Sequence, residues 1–181
     1  LCVGIALGTE VFHFFAYKSY GSISGIMSSI STGRIYDYVQ QANLAYFPFA
    51  TVTSDFSWQG AAAVQATEEA NRENGSFSNL TGAISVSEMG DLKGVTSSRD
   101  SLVGYFTHKE SGQPGYMIAN CTLPSGGQTA SVTLDFGSHE RVFIYTKSTD
   151  GKTLNAEEMN TIGGKLRLSV GAGEGVFVVP A

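Results

Sequence analysis

Residues 130–136 read ASVTLDF, and their alternation is the clearest indication of the fold. Val132, Leu134 and Phe136 are apolar, whereas a threonine and an aspartate stand between them. Because successive side chains of a strand point to opposite faces, this period of two predicts a strand with one buried and one solvated face. Such half-buried strands are typical of antiparallel sheets.

Short segments of similar length recur from Trp58 onward, and each is closed by turn residues such as glycine and proline. The predicted strands are Trp58–Gln65, Gly82–Val86, Leu102–Thr107, Gly115–Cys121, Ala130–Phe136, Arg141–Tyr145, Lys165–Val170 and Gly175–Val179. Strands at this spacing predict an antiparallel β-sandwich over residues 57–181, with a polar connecting segment at about 66–80.

The residues before this domain follow the pattern of a parallel α/β protein. An apolar run ends at Gly8 like the end of a helix, and Val11–Tyr17 is a nearly continuous apolar strand of the kind that is buried on both faces. A Ser- and Gly-rich loop follows, and then Ile35–Phe49 carries apolar residues at helical spacing. We expect Pro48 to bend or end this helix.

One βα unit cannot cover both faces of its own strand, because a parallel sheet needs neighbouring strands. A truncated (β/α)8 barrel resolves this conflict. The sequence therefore predicts a mainly β chain in which residues 1–56 are a barrel remnant (the end of helix 7, strand 8 and helix 8) and residues 57–181 are the sandwich. An exposed barrel edge also predicts self-association.

Composition excludes several classes of function. The charged fraction of 15% and the hydrophobic fraction of 42% indicate a globular chain rather than a disordered one. The net charge of −5 and the scattered lysines and arginines offer no basic surface for nucleic acid. The opening apolar run is too short to cross a membrane and carries no signal pattern, so no membrane partner is predicted, and the compartment stays open.

No cofactor motif is recognised. The glycines of Gly171–Gly175 are followed by a strand, whereas a dinucleotide loop opens a helix, so a hairpin turn is predicted there.

The spacing of Cys2 and Cys121 fits no metal site. Two unrelated thiols are favoured, and a disulfide stays open. The N-glycosylation pattern occurs at Asn74, Asn79 and Asn120.

The order of the elements is similar to the carboxy-terminal part of a β-galactosidase-like glycoside hydrolase with a (β/α)8 barrel. The matching stretches are Ala6–Glu10 ahead of the aromatic run Val11–Tyr17, the tyrosine-rich helix start Ile35–Val39 with Asn43, and the sandwich segments Leu102–Phe106, Tyr116–Asn120 and Gly173–Val178. They cover most of the chain, and none of them is a catalytic signature.

The resemblance implies that the acid/base and nucleophile glutamates lie before Leu1, at the ends of barrel strands four and seven. Glu10 precedes the predicted strand, at the amino-terminal rim, where catalytic residues do not lie. The opposite rim carries Tyr17 and Lys18, which are the candidate substrate-binding residues. The family often has a tryptophan there as a platform beneath the sugar, and this sequence has a tyrosine instead.

The leading hypothesis is therefore a non-catalytic carboxy-terminal fragment of a glycoside hydrolase in carbohydrate metabolism. It lacks the glutamate pair, is inactive alone and meets carbohydrate through the parent enzyme. The alternative is a stand-alone carbohydrate-binding β-sandwich module with exposed aromatics, of which Tyr105 and Tyr116 are candidates. Their apolar neighbours favour the core instead, and Trp58 is favoured as a plug between the two parts of the chain rather than a platform.

A third hypothesis, a self-sufficient small enzyme, needs an acid/base set that the sequence does not offer. Glu68, Glu69 and Glu73 surround Arg72 and are interpreted as a solvated turn. His13 lies within the aromatic run and is interpreted as a hydrogen-bonded core histidine.

Overall fold

A computed structural model describes residues 2–9, 34–72, 82–150 and 153–181. The helices are α1 (Cys2–Ala6) and α2 (Arg34–Thr53), and the strands are β1 (Phe56–Val64), β2 (Gly94–Ser97), β3 (Ser101–His108), β4 (Pro114–Asn120), β5 (Ala130–Asp135), β6 (Arg141–Lys147), β7 (Leu154–Asn160), β8 (Lys165–Val170) and β9 (Gly175–Pro180). The chain is mainly β, and no helix in these ranges is long and apolar enough to cross a membrane.

The strands form two antiparallel sheets. The larger sheet has the order β1-β3-β4-β9-β6-β7, and the smaller has the order β2-β5-β8. Val132 and Leu166 of the smaller sheet share one buried cluster with Ile118, Val142 and Val178 of the larger. The two sheets therefore pack face to face, and the predicted β-sandwich is confirmed.

The larger sheet is also buried on its outer face. Ile5 of α1 and Phe49 of α2 form a second buried cluster with Leu102, Met117 and Phe177 of the sheet. Each large side chain that is fully buried in this way contributes about 1.5–3 kcal/mol. The outer face of the larger sheet is thus a packing surface for both helices.

Neighbouring residues of the central strands belong to different clusters. In β4, Tyr116 and Ile118 face the sandwich core, whereas Met117 and Ala119 face the helices. Every residue of β9 is buried for the same reason. These antiparallel strands are nearly continuous apolar runs because each of their faces is covered.

Most predicted strands agree with the observed ones to within two residues, but Gly82–Val86 is wrong. Residues 82–85 form no strand, and Ser85 begins a short 3₁₀ turn at Val86–Glu88. The backbone N–H of Ser85 donates to the Glu88 carboxylate at 2.7 Å, which closes a capping box. Strands β2 and β7 were not predicted.

Two further expectations need correction. Of the two outcomes predicted at Pro48, an end of the helix is wrong, because α2 continues to Thr53, whereas a bend stays a prediction. Phe49 beside the proline is buried in the outer cluster. Packing of this last turn against the sheet offsets the lost backbone donor. The glycines of Gly171–Gly175 form no hairpin, because β8 and β9 belong to different sheets and this turn crosses between them.

The predicted strand Val11–Tyr17 lies outside the described residues, so the barrel remnant stays a prediction. The predicted boundary assigns residue 56 to the barrel remnant, and Phe56 is the first residue of β1. Two residues, Ser54 and Asp55, separate the end of α2 at Thr53 from the start of β1 at Phe56. The helix and the sandwich are therefore joined by a short connection.

Candidate functional site

Trp58 in β1 lies against the end of α1. Its indole Nε1–H donates to the carbonyl oxygen of Ala6 at 3.1 Å. Gly8 has φ +75° and lies so close to the indole that a Cβ there would be 2.6 Å from the ring. The tryptophan therefore joins α1 to the sheet, yet 44% of its surface stays exposed.

The exposed part of Trp58 lines a groove of about 370 Å³, which we call the Trp58 groove. Its walls are the end of α1, the last turn of α2, the first half of β1 and the turn between β3 and β4. The residues that matter for its chemistry are Thr9, Thr53, Ser54, Phe56, Trp58 and Lys109.

Hydrogen bonds fix the polar wall of the groove. The Lys109 ammonium donates to the carbonyl oxygen of Ser54 at 2.6 Å, and the backbone N–H of Lys109 donates to the carbonyl oxygen of Asp55 at 2.9 Å. The hydroxyls of Thr53 and Ser54 donate to carbonyl oxygens of α2, so that their own oxygens can still accept hydrogen bonds. The groove thus offers a cationic donor and hydroxyl acceptors beside aromatic surface.

This arrangement can bind but does not form a hydrolytic pair. Among the described residues that line the groove, Lys109 is the only ionisable side chain. Retaining glycoside hydrolysis needs two carboxyl groups about 5 Å apart. No group of histidine, cysteine, aspartate or glutamate within the described ranges could hold a metal ion.

The candidate substrate-binding residues Tyr17 and Lys18 lie outside the described residues, as do Glu10 and His13, so these predictions remain predictions. Tyr116 is fully buried, which excludes it as a sugar platform. Its hydroxyl donates to the carbonyl oxygen of Met89 at 2.7 Å.

Tyr116 is also held by its neighbours in the core. Tyr105 stacks on its ring at a centroid distance of 5.7 Å. The backbone N–H of Asp91 donates to its hydroxyl at 3.1 Å. Burial, together with the negative charge of Asp91, raises the pKa of the Tyr116 phenol, so it stays neutral and structural.

The acidic cluster behaves as a surface turn. Glu68 accepts a hydrogen bond from the side chain of Asn71 at 2.9 Å, and Arg72 lies 3.8 Å from the carboxylate of Glu69. Glu68 and Glu69 are exposed. Glu73 lies outside the described residues.

No protein-family model, curated protein or solved structure matches this chain. The glycoside hydrolase resemblance and the functional role therefore remain proposals. The Trp58 groove itself was not predicted, because Thr53, Ser54 and Lys109 lie far from Thr9 in the sequence and carry no shared local pattern.

Both cysteines are free thiols, which confirms the prediction of two unrelated cysteines. Burial raises the pKa of both, and the Asp100 charge helps to bring that of Cys121 to about 12. At pH 8 only about one Cys121 in ten thousand is a thiolate, which is the reactive form. We expect iodoacetamide to label Cys121 very slowly in the folded chain, and the labelling rate to rise about tenfold per pH unit below its pKa.

Peptide mass analysis after timed alkylation measures this rate at Cys121 separately from Cys2, with the same chain in urea as the control. Labelling of Cys121 that is equally fast with and without urea would contradict the burial of its thiol.

Proposed function

We propose that this chain is the non-catalytic carboxy-terminal part of a glycoside hydrolase in carbohydrate metabolism. Its role would be to hold the last helical elements of the catalytic domain in place. The observation that carries the proposal is the outer face of the larger sheet, which is buried under α1 and α2 while the inner face forms the sandwich core.

The contact between α1 and the sheet is close enough to exclude side chains. A Cβ built on Gly104 of β3 would lie 2.4 Å from the backbone oxygen of Ala6. A Cβ on Gly175 of β9 would lie 2.8 Å from the Cβ of Cys2. The backbone of a helix therefore rests directly on the strands, as a tightly packed interface between two parts of a protein requires.

The residues of the first part of the chain would then belong to the catalytic domain of the parent. Tyr17 and Lys18 would contact the sugar at the barrel rim, and the glutamate pair would come from the parent. The sandwich would contribute stability rather than chemistry. This assignment explains why a complete β-domain covers helices that precede it in the sequence.

The test is the mass of the native protein in its source, detected with an antibody against the sandwich. We expect a species of several hundred residues. A native species near 19.1 kDa would overturn the assignment to a larger enzyme. Hydrolysis of aryl glycosides by the purified chain, absent from a matched mock purification, would overturn the non-catalytic role.

The second candidate is a carbohydrate-binding module. The Trp58 groove favours it, since this groove presents an exposed aromatic surface beside hydrogen-bonding groups. For this second candidate, the chain itself would bind carbohydrate, without the parent enzyme.

A further inference from the structure

We propose that the Trp58 groove is a binding subsite for a neutral oligosaccharide, with one pyranose ring lying on the exposed surface of the indole. This proposal deepens the second candidate function above and rests on it, and it goes beyond the packing role because it gives the chain a ligand of its own. It rests on the groove and not on the identity of the parent enzyme.

The indole is held rigidly before any ligand arrives. One side of the ring lies against Gly8, and the hydrogen bond to Ala6 fixes its rotation. A platform with a fixed orientation loses little conformational entropy on binding. Since Nε1 already donates to Ala6, the indole would hold a ligand through its ring surface, on which the apolar C–H groups of the ligand would lie.

The rim of the groove suits hydroxyl groups. A sugar hydroxyl both donates and accepts hydrogen bonds. It can donate to the oxygens of Thr53 and Ser54, and it can accept from Lys109, whose ammonium has donors beyond the one used on Ser54. An apolar ring surface beside donors and acceptors is complementary to a pyranose, which has apolar C–H faces and a polar edge.

Charge and size favour a neutral sugar over a nucleic acid, whose bases could also stack on the indole. Lys109 supplies a single positive charge in the groove, and the chain carries a net charge of −5, which disfavours a phosphate backbone. The groove volume of about 370 Å³ lies in the range of small-ligand sites, roughly 300–1,000 Å³.

Trp58 is the only tryptophan of the chain, so its fluorescence reports on this groove alone. We would titrate the 181-residue chain with cellotetraose, xylotetraose and β-1,4-galactotetraose, and with a short single-stranded DNA. The expected result is a saturable change in emission with at least one sugar at millimolar concentration or below. Flat titrations with all three sugars, or saturation by DNA alone, would overturn the proposal.

Substitutions then locate the binding by calorimetry with the sugar that binds. Trp58→Ala should weaken binding at least about tenfold, which corresponds to about 1.4 kcal/mol. Phe143→Ala is the matched control, because this exposed aromatic lies on β6 of the same sheet and outside the groove. It should leave the affinity within about twofold, or about 0.4 kcal/mol.

Because Trp58→Ala also removes the contact with Gly8, Lys109→Met gives a second test that keeps the platform. Lys109→Met should weaken binding, while the midpoint of thermal unfolding and the emission maximum of Trp58 stay near those of the unsubstituted chain. Unchanged affinity in both groove variants would overturn the proposal. Its failure is separable from that of the proposed function, which depends on the native mass.

Discussion

Replacing Asn120 by leucine is expected to destabilise the sandwich by about 4 kcal/mol or more. Asn120 ends β4 and is fully buried. Its amide nitrogen donates to the carbonyl oxygens of Gln128 and Val170 at 2.9 and 3.0 Å. Its amide oxygen accepts from the backbone N–H and the hydroxyl of Thr122 at 3.0 and 2.7 Å. Leucine has similar volume but cannot make these four bonds.

The cost follows from the groups that lose a hydrogen bond, although the Thr122 hydroxyl can still donate to the carbonyl oxygen of Gln128 at 3.0 Å. Each buried donor or acceptor without a hydrogen bond costs about 1–3 kcal/mol. Gln128 precedes β5 and Val170 ends β8, so this one side chain ties the larger sheet to the smaller. Urea denaturation followed by circular dichroism measures the effect.

The matched control is Asn155→Leu, because Asn155 is an exposed asparagine in strand β7. We expect this change to stay within about 0.5 kcal/mol. Equal losses in the two variants would show that the buried hydrogen bonds of Asn120 are not the cause. The same geometry predicts that Asn120 carries no glycan in the folded chain, since its nitrogen is buried and bonded.

Replacing Gly104 by valine is expected to force α1 away from the sheet, at a cost of about 3 kcal/mol. The added Cβ would lie 2.4 Å from the oxygen and 2.6 Å from the Cα of Ala6. These are backbone atoms, which cannot rotate away as the end of a side chain can. The helix must therefore move, and the hydrogen bond from Trp58 to Ala6 must break.

Two measurements test the effect of Gly104→Val. They are the free energy of unfolding in urea and the emission maximum of Trp58. We expect lower stability together with a shift of the emission to longer wavelength, as the indole becomes more exposed. Gly94→Val is the control, because a Cβ at this strand glycine would make only an ordinary contact of 3.9 Å. Wild-type stability and emission in Gly104→Val would contradict the close packing of α1.

Period-two alternation predicted the strands well wherever one face of a strand meets the core. It did not predict β7, whose residues Asn155–Glu158 are exposed and include two glutamates. It did not predict β2, which has only 4 residues. The error at Gly82–Val86 was avoidable, since Ser85 and Glu88 already have the spacing of a capping box.

The covered outer face of the larger sheet was not predictable from a local pattern. The apolar residues of β4 and β9 predict strands, but a strand covered by a helix and one covered by a second sheet have the same composition. The Trp58 groove depends on the same arrangement, because α1 and α2 place Thr9 and Thr53 beside β1. Only the tertiary structure brings these residues to Lys109.

The position of β9 has a consequence for synthesis on the ribosome. Although it follows the other described strands in the sequence, it lies between β4 and β6. Once the residues up to 170 have left the ribosome, the nascent chain can pair β1, β3 and β4 on one side and β6 with β7 on the other, but it cannot join the two halves. Because translation adds about 5–20 residues per second, the facing edges of β4 and β6 stay unpaired until β9 emerges. Translation pauses near this strand would therefore expose the nascent chain to chaperones and to misassembly.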